Sequence, residues 1–220
     1  MMTPRLEHEW KAFLATRGIA VPPGVFIPSG GGKPALPEAL GGLRSPLAVK
    51  ALGRAIVHKT DLGAVRLGVA ADCLEATVAE VLEAIRRRGV EAVEGILVEE
   101  MVEPGIELLL GVHADPLFGR LVAFGAGGTR VEARGEVTFF AAPFRPWDVD
   151  SLLASMPWLT GALARTGPAA LDGLRAAIHR FGGPDGLALD PRIESLEVNP
   201  FIVNRAGAFA VDARGVLSAC

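Results

Sequence analysis

Tyrosine is absent from this 220-residue chain, cysteine occurs twice, histidine four times, and aromatic residues make up only 6% of the whole. The lack of tyrosine carries no functional reading of its own. The scarcity of cysteine does: Cys73 and Cys220 alone cannot build a disulfide framework, and no CxxC pair is present to hold zinc. A reducing, cytoplasmic setting is expected. No basic run longer than Arg86-Arg87-Arg88 occurs and the net charge is −3, so nucleic acid is not an expected partner. Met1 to Trp10 carries acidic residues and no apolar h-region, so no signal peptide is expected. No apolar run is long enough to cross a bilayer, and no membrane partner is expected. Nucleotide fingerprints of the usual kinds are missing too. Gly30-Gly31-Gly32-Lys33 is followed by Pro34, with no Ser or Thr placed to reach a metal. Gly125-Ala126-Gly127-Gly128 is neither a P-loop nor GxGxxG. No Ser/His/Asp nucleophile elbow is found.

What is present is a globular composition, half apolar and 21% charged. Thr3-Pro4 reads as the start of a helix with Leu6, Trp10, Phe13 and Leu14 as its stripe and Gly18 as its stop. Strands are expected over Val25–Ile27, Leu47–Leu52, Ala64–Val69, Gly95–Met101, Ile106–Val112, Leu121–Phe124, Glu136–Phe140, Ile193–Val203 and Gly207–Ala213. Glu103-Pro104-Gly105 has the composition of a hairpin turn between two of them. Asp72 with Glu75 reads as a capping pair for a helix whose inner face is Leu74, Val78, Val81, Leu82 and Ile85. Further helices are expected over Asp148–Met156 and Ala169–Phe181. This order implies an α+β chain with mixed or antiparallel sheets rather than a regular βαβ wind.

The densest chemistry lies near the C-terminus, in Glu197-Val198-Asn199-Pro200 and Val211-Asp212-Ala213. Glu197 and Asn199 are two apart on a strand and share a face; a returning strand brings Asp212 opposite them. Three oxygen donors on one face suit a hard cation such as Mg²⁺, and a structural hairpin with a polar outer face is the competing reading. Lys50 interrupts an apolar strand, so either it meets an anion, a nucleotide phosphate being one candidate, or it reaches solvent from a half-exposed strand. His58-Lys59-Thr60-Asp61-Leu62-Gly63 offers an imidazole that can act as a nucleophile toward phosphorus with Asp61 to orient it, or is a surface turn. Gly127 and Gly128 lie in a turn able to present backbone N–H groups to phosphate, or in a tight turn only. Glu99, Glu100 and Met101 end a strand whose backbone faces an adenine edge or belongs to an ordinary hairpin. Glu107 alternates with apolar residues and is a candidate for a ribose hydroxyl or the metal. His8, His113 and His179 have no clustered metal partners.

Taken in order, Val49-Lys50-Ala51, His58 to Gly63, Gly111 to Gly119, Phe124 to Glu132, Glu197 to Pro200 and Val211 to Ala213 resemble the ATP-grasp domain of nucleoside-diphosphate-forming acyl-CoA synthetases, specifically the β subunit of the ADP-forming acetyl-CoA synthetase. The resemblance runs from about Pro22 to near the end. It implies an ATP-grasp fold of two α+β lobes with nucleotide between them: 1–21 an N-terminal helix and linker, 22–97 the first lobe, 98–220 the second lobe with the metal hairpin. It implies ATP binding by Lys50, Glu99, Glu100, Met101, Glu107, Gly127 and Gly128, Mg²⁺ on Asn199 and Asp212 with Glu197 beside them, and His58 as a transient phosphoryl carrier. It implies a CoA-binding α subunit as partner in the reversible reaction of acid, CoA and ATP to acyl-CoA, ADP and phosphate. Where the family often has a second glycine after Gly63, this chain has Ala64. The alternatives are a regulatory ATP-grasp module related to fused acyltransferases, and a stand-alone carboxylate–amine ligase, which leaves the His58 segment unexplained.

Overall fold

The computed structural model describes residues 3–30, 38–56, 59–90, 92–128, 137–145 and 147–218. His58 and the Gly31-Gly32-Lys33 run fall outside them. The chain divides into two compact units, Pro22–Val102 and the combination of Met1–Val21 with Glu103–Cys220. The boundary expected between 97 and 98 would cut a strand in the middle of its ladder; the division follows Val102. The N-terminal helix, expected to stand apart with a linker, belongs to the larger unit.

The smaller unit is a four-stranded antiparallel sheet in the order β2 (Gly24–Pro28), β5 (Gly95–Glu100), β3 (Leu47–Leu52) and β4 (Val65–Val69). Helix α2 (Leu74–Arg87) packs on β3 and β4. Its buried residues Leu74, Val78, Val81 and Ile85 recur every three or four positions and form one stripe. They meet Leu47, Val49, Ala51, Ile96 and Val98 of the sheet. A 3₁₀ turn over Ala71–Cys73 leads into α2, and no side chain caps the helix, so Asp72 does not serve as the expected N-cap.

The larger unit holds a seven-stranded sheet in the order β1 (Thr3–Pro4), β11 (Ala213–Leu217), β9 (Ile193–Asn204), β6 (Ile106–Asp115), β7 (Gly119–Ala126) and β8 (Val137–Ala141), with β10 (Gly207–Ala210) pairing the far half of β9. All of these pairings are antiparallel. Helices α1 (Glu7–Thr16), α3 (Asp148–Ala154), α4 (Pro157–Leu163) and α5 (Pro168–Gly182) complete it. The core gathers Trp10 and Leu14 of α1, Phe181 of α5 and Leu108, Leu110, Phe124 and Phe201 of the sheet. Among the described residues no helix is long and apolar enough to cross a membrane.

Thr3 and Pro4 form an edge strand against β11 instead of starting the helix; an edge tolerates a residue without an N–H. The helix begins at Glu7, where the Glu9 carboxylate accepts the Leu6 N–H at 2.7 Å. Glu103-Pro104-Gly105 closes no hairpin, because β5 pairs with β2 and β3 whereas β6 pairs with β7 and β9. The Gly207–Ala213 strand is broken at Val211-Asp212 into β10 and β11. Helix α4, over a segment rich in Leu and Ala, had no expectation attached to it.

Candidate functional site

Strand β9 organises the larger unit's polar end. Its first half pairs with β11, Ala213 opposite Val198 and Arg214 opposite Glu197. Its second half pairs with β10, Ala210 opposite Phe201. Val211 and Asp212 fall at the junction, where the Asn199 N–H donates to the Asp212 carbonyl at 3.0 Å and the Val211 N–H to the Pro200 carbonyl at 3.2 Å. Asp212 therefore lies directly across from Asn199, as the hairpin reading required. On the other side of β9 the ladder with β6 slips between Leu108 and Leu110, next to Asn199 and Pro200. Glu107 is paired with Ile202.

Glu197 points to the same side of β9 as Asn199, about 7 Å further along the strand. Its carboxylate is bonded to Arg214 at 3.0 Å across the β9–β11 pair. Arg214 was not singled out from sequence, since only the register brings it to Glu197. Both side chains are partly open to solvent, so the pair orients Glu197 more than it stabilises the fold.

The end of β7 closes over the same place. The Gly127 N–H donates to the Glu107 carbonyl at 2.9 Å, and the Gly128 N–H donates to Asn199 Oδ1 at 2.8 Å. Gly128 has φ +64°, and a Cβ there would run into the Glu107 carboxylate. Only glycine fits both demands. Glu107, Gly128, Asn199 and Asp212 are thus brought together, although they come from four separate stretches of sequence.

In the smaller unit, Lys50 and Glu99 form an ion pair of 2.9 Å with side chains only 5% and 3% exposed. The register sets Ala48 opposite Glu99 and Lys50 opposite Leu97, so Lys50 and Glu99 share a face one step along the diagonal. Lys50 has an anion partner, as its burial demands, and does not reach solvent. Gly24 stands opposite Glu99 on the other flank, where a Cβ would come within 2.6 Å of Glu99 Cγ. Glu100 is bonded to the Arg44 guanidinium at 2.9 Å and to its backbone N–H at 3.1 Å. Those hydrogen bonds hold the Glu100 carboxyl below the usual carboxylate range. The Met101 N–H donates to the Pro46 carbonyl at 2.9 Å, and its sulfur accepts the Gly68 N–H at 2.9 Å. Glu99, Glu100 and Met101 are therefore each tied down within this unit.

Comparison with known proteins places this fold in a family. The ATP-grasp domain model matches residues 3–217. The β subunit of acetate–CoA ligase [ADP-forming] I from Pyrococcus furiosus is 31% identical over 221 residues, covering 97% of this chain and 92% of that one. The acetate–CoA ligase [ADP-forming] I of Archaeoglobus fulgidus is 33% identical over 176 residues, 78% of this chain; the matched part is only 25% of that longer protein. Among solved structures, the dinucleotide-forming acetyl-coenzyme A synthetase 1 of Ca. Korarchaeum cryptofilum, in complex with coenzyme A, Ca-AMPCP and HgCl⁺, superposes with a TM-score of 0.82 at 30% identity. That match covers 98% of this chain and 93% of the other. The chain therefore belongs to the ATP-grasp family, and within it to the branch that holds the β subunits of ADP-forming acetate–CoA ligases.

Proposed function

We propose that this chain is the nucleotide-binding subunit of an ADP-forming acyl-CoA synthetase. Its part is to pass a phosphoryl group between ATP or ADP and a phosphohistidine, in the reversible conversion of acid, CoA and ATP to acyl-CoA, ADP and phosphate. The observation that carries the reading is the assembly of Glu107, Gly128, Asn199 and Asp212 at one end of the large sheet. The Korarchaeum relative has a nucleotide analogue bound with a divalent cation, which supports the same class of ligand here. The separate β subunit in Pyrococcus supports a CoA-binding α subunit as partner. A reducing, cytoplasmic setting fits the two-cysteine composition.

The family implies Mg²⁺, and the donors fit it. Asn199 supplies an amide oxygen and Asp212 a carboxylate directly across the strand pair, with Glu197 beside them and oriented by Arg214. Among the described residues no three His, Cys, Asp or Glu side chains form a metal-holding group by themselves. A site of this composition suits an ion that draws its remaining ligands from phosphate and water. When bound, Mg²⁺ neutralises charge on the phosphate oxygens.

The chain's own residues do the rest. Lys50, held by its ion pair with Glu99, is the candidate cation for phosphate oxygens. Glu99, Glu100 and Met101 are the candidate base-recognition segment, with Glu107 a candidate for the ribose. Gly127 and Gly128 carry the turn that meets Glu107 and Asn199. His58 is the proposed carrier: an imidazole nitrogen attacks the γ-phosphorus, the N–P bond forms, and the bond from that phosphorus to the bridging oxygen breaks to release ADP. Reversal of the same step regenerates ATP.

The test is incubation of the chain and a His58→Asn variant with γ-labelled ATP and Mg²⁺, with and without a CoA-binding partner subunit, followed by measurement of acid-labile label. Label on the wild type and none on the variant is the expected result. Full labelling of the variant removes His58 from the pathway.

A further inference from the structure

A turn rich in glycine after a strand suggests amides aimed at phosphate, but the two amides of Gly127–Gly128 have other partners. Gly127 donates to the Glu107 carbonyl at 2.9 Å and Gly128 to Asn199 Oδ1 at 2.8 Å. Each N–H carries one proton, so neither is left to cradle an anion. The second bond also settles which end of the Asn199 amide is oxygen, because only the oxygen can accept an N–H. That oxygen has two lone pairs, and the Gly128 bond occupies one. Among the described residues no hydrogen bond takes the other. The same turn admits Glu107: its carboxylate occupies the space a side chain at 128 would fill, and Gly128 has φ +64°, a conformation that favours glycine.

We infer that Gly127–Gly128 is a positioning element, which holds the Asn199 oxygen and the Glu107 carboxylate in mutual register and acts on the nucleotide's cation through them rather than by amide contact with phosphate. This deepens the nucleotide reading above and rests on it. The physical gain is preorganisation: a ligating oxygen already held in place loses no rotamer freedom when the ion arrives.

Two measurements on the full chain test it. The first is amide hydrogen exchange at Gly128 without nucleotide. Asn199→Ala removes the acceptor and is expected to speed exchange about 10-fold, the loss of one hydrogen bond; Asn199→Asp keeps an acceptor oxygen and is expected to stay near wild type. Unchanged exchange in Asn199→Ala overturns the contact. The second is calorimetric ATP binding in EDTA and in Mg²⁺. Gly128→Ala is expected to cut the gain in affinity that Mg²⁺ brings by about 10-fold, the size of supporting-group effects at metal sites. Its affinity in EDTA is expected to stay within about 2-fold. Equal loss in both conditions means the amide faces phosphate directly and overturns the inference, as does no change in either. A wild-type chain that binds no ATP in either condition removes the nucleotide reading and this role with it, while the exchange measurement still decides whether Gly128 holds Asn199.

Discussion

Lys50 and Glu99, on neighbouring strands of the smaller sheet, form a 2.9 Å ion pair in which neither side chain is more than 5% exposed. Such a pair gains little over a well-packed apolar pair, yet breaking it strands a charge in the core. Lys50→Met and Glu99→Gln are each expected to lower stability by about 3–5 kcal/mol, and Lys50→Met/Glu99→Leu by less than either single change. Urea unfolding of the four proteins checks this. ATP titration of the double variant separates the two roles of Lys50: stability recovers and nucleotide affinity does not.

Asp190 ties the end of α1 to the segment that leads into β9. Its carboxylate takes hydrogen bonds from Arg192 at 2.7 Å and 2.9 Å and pairs with Arg17 at 2.9 Å. The Arg192 hydrogen bonds, outweighing burial, hold its pKa down to about 2. The folded pKa lies below the unfolded value near 3.9, so the stabilisation is complete above roughly pH 5 and is lost as pH falls toward 2. It amounts to about 2 kcal/mol on the order of the shift. Urea unfolding of wild type and Asp190→Asn is expected to differ by that amount at pH 6 and to converge near pH 2.

Asp212→Ala removes the carboxylate of the residue opposite Asn199. ATP affinity in Mg²⁺ is expected to fall about 10-fold or more, by analogy with supporting groups at metal sites. Affinity in EDTA is expected to change little. Unaltered Mg²⁺-dependent binding would take Asp212 out of the cation site.

Phe181 of α5 is fully buried in the larger core. Phe181→Ala is expected to cost about 3–5 kcal/mol through lost burial and the cavity it leaves. A fall in the urea midpoint at unchanged m-value is the measurement.

Much of this was readable in the chain itself. The apolar run Leu47–Leu52 is a strand end to end, and the stripe Leu74, Val78, Val81, Ile85 is a helix face. The side-chain periods of 2 and 3.6 are written into the order of residues. The opposition of Asn199 to Asp212 was likewise available, because a short turn at 204–207 fixes the register of the strands it joins. The lysine in an apolar strand announced its need by residue type, since burying a charge demands a partner.

Which partner was decided only by the tertiary fold. Pattern tells that Gly95–Glu100 and Ile106–Asp115 are strands but not which strands they pair with, so a Pro-Gly hairpin was expected where the chain passes from one sheet to another. Lys50 meets Glu99 because β3 and β5 are neighbours, and Arg214 meets Glu197 because β11 flanks β9. Gly128 reaches Asn199 across 71 residues of sequence. Local order along a chain fixes conformation within a few residues; hydrogen bonds between distant strands depend on sheet order and register, which arise only when the whole core closes.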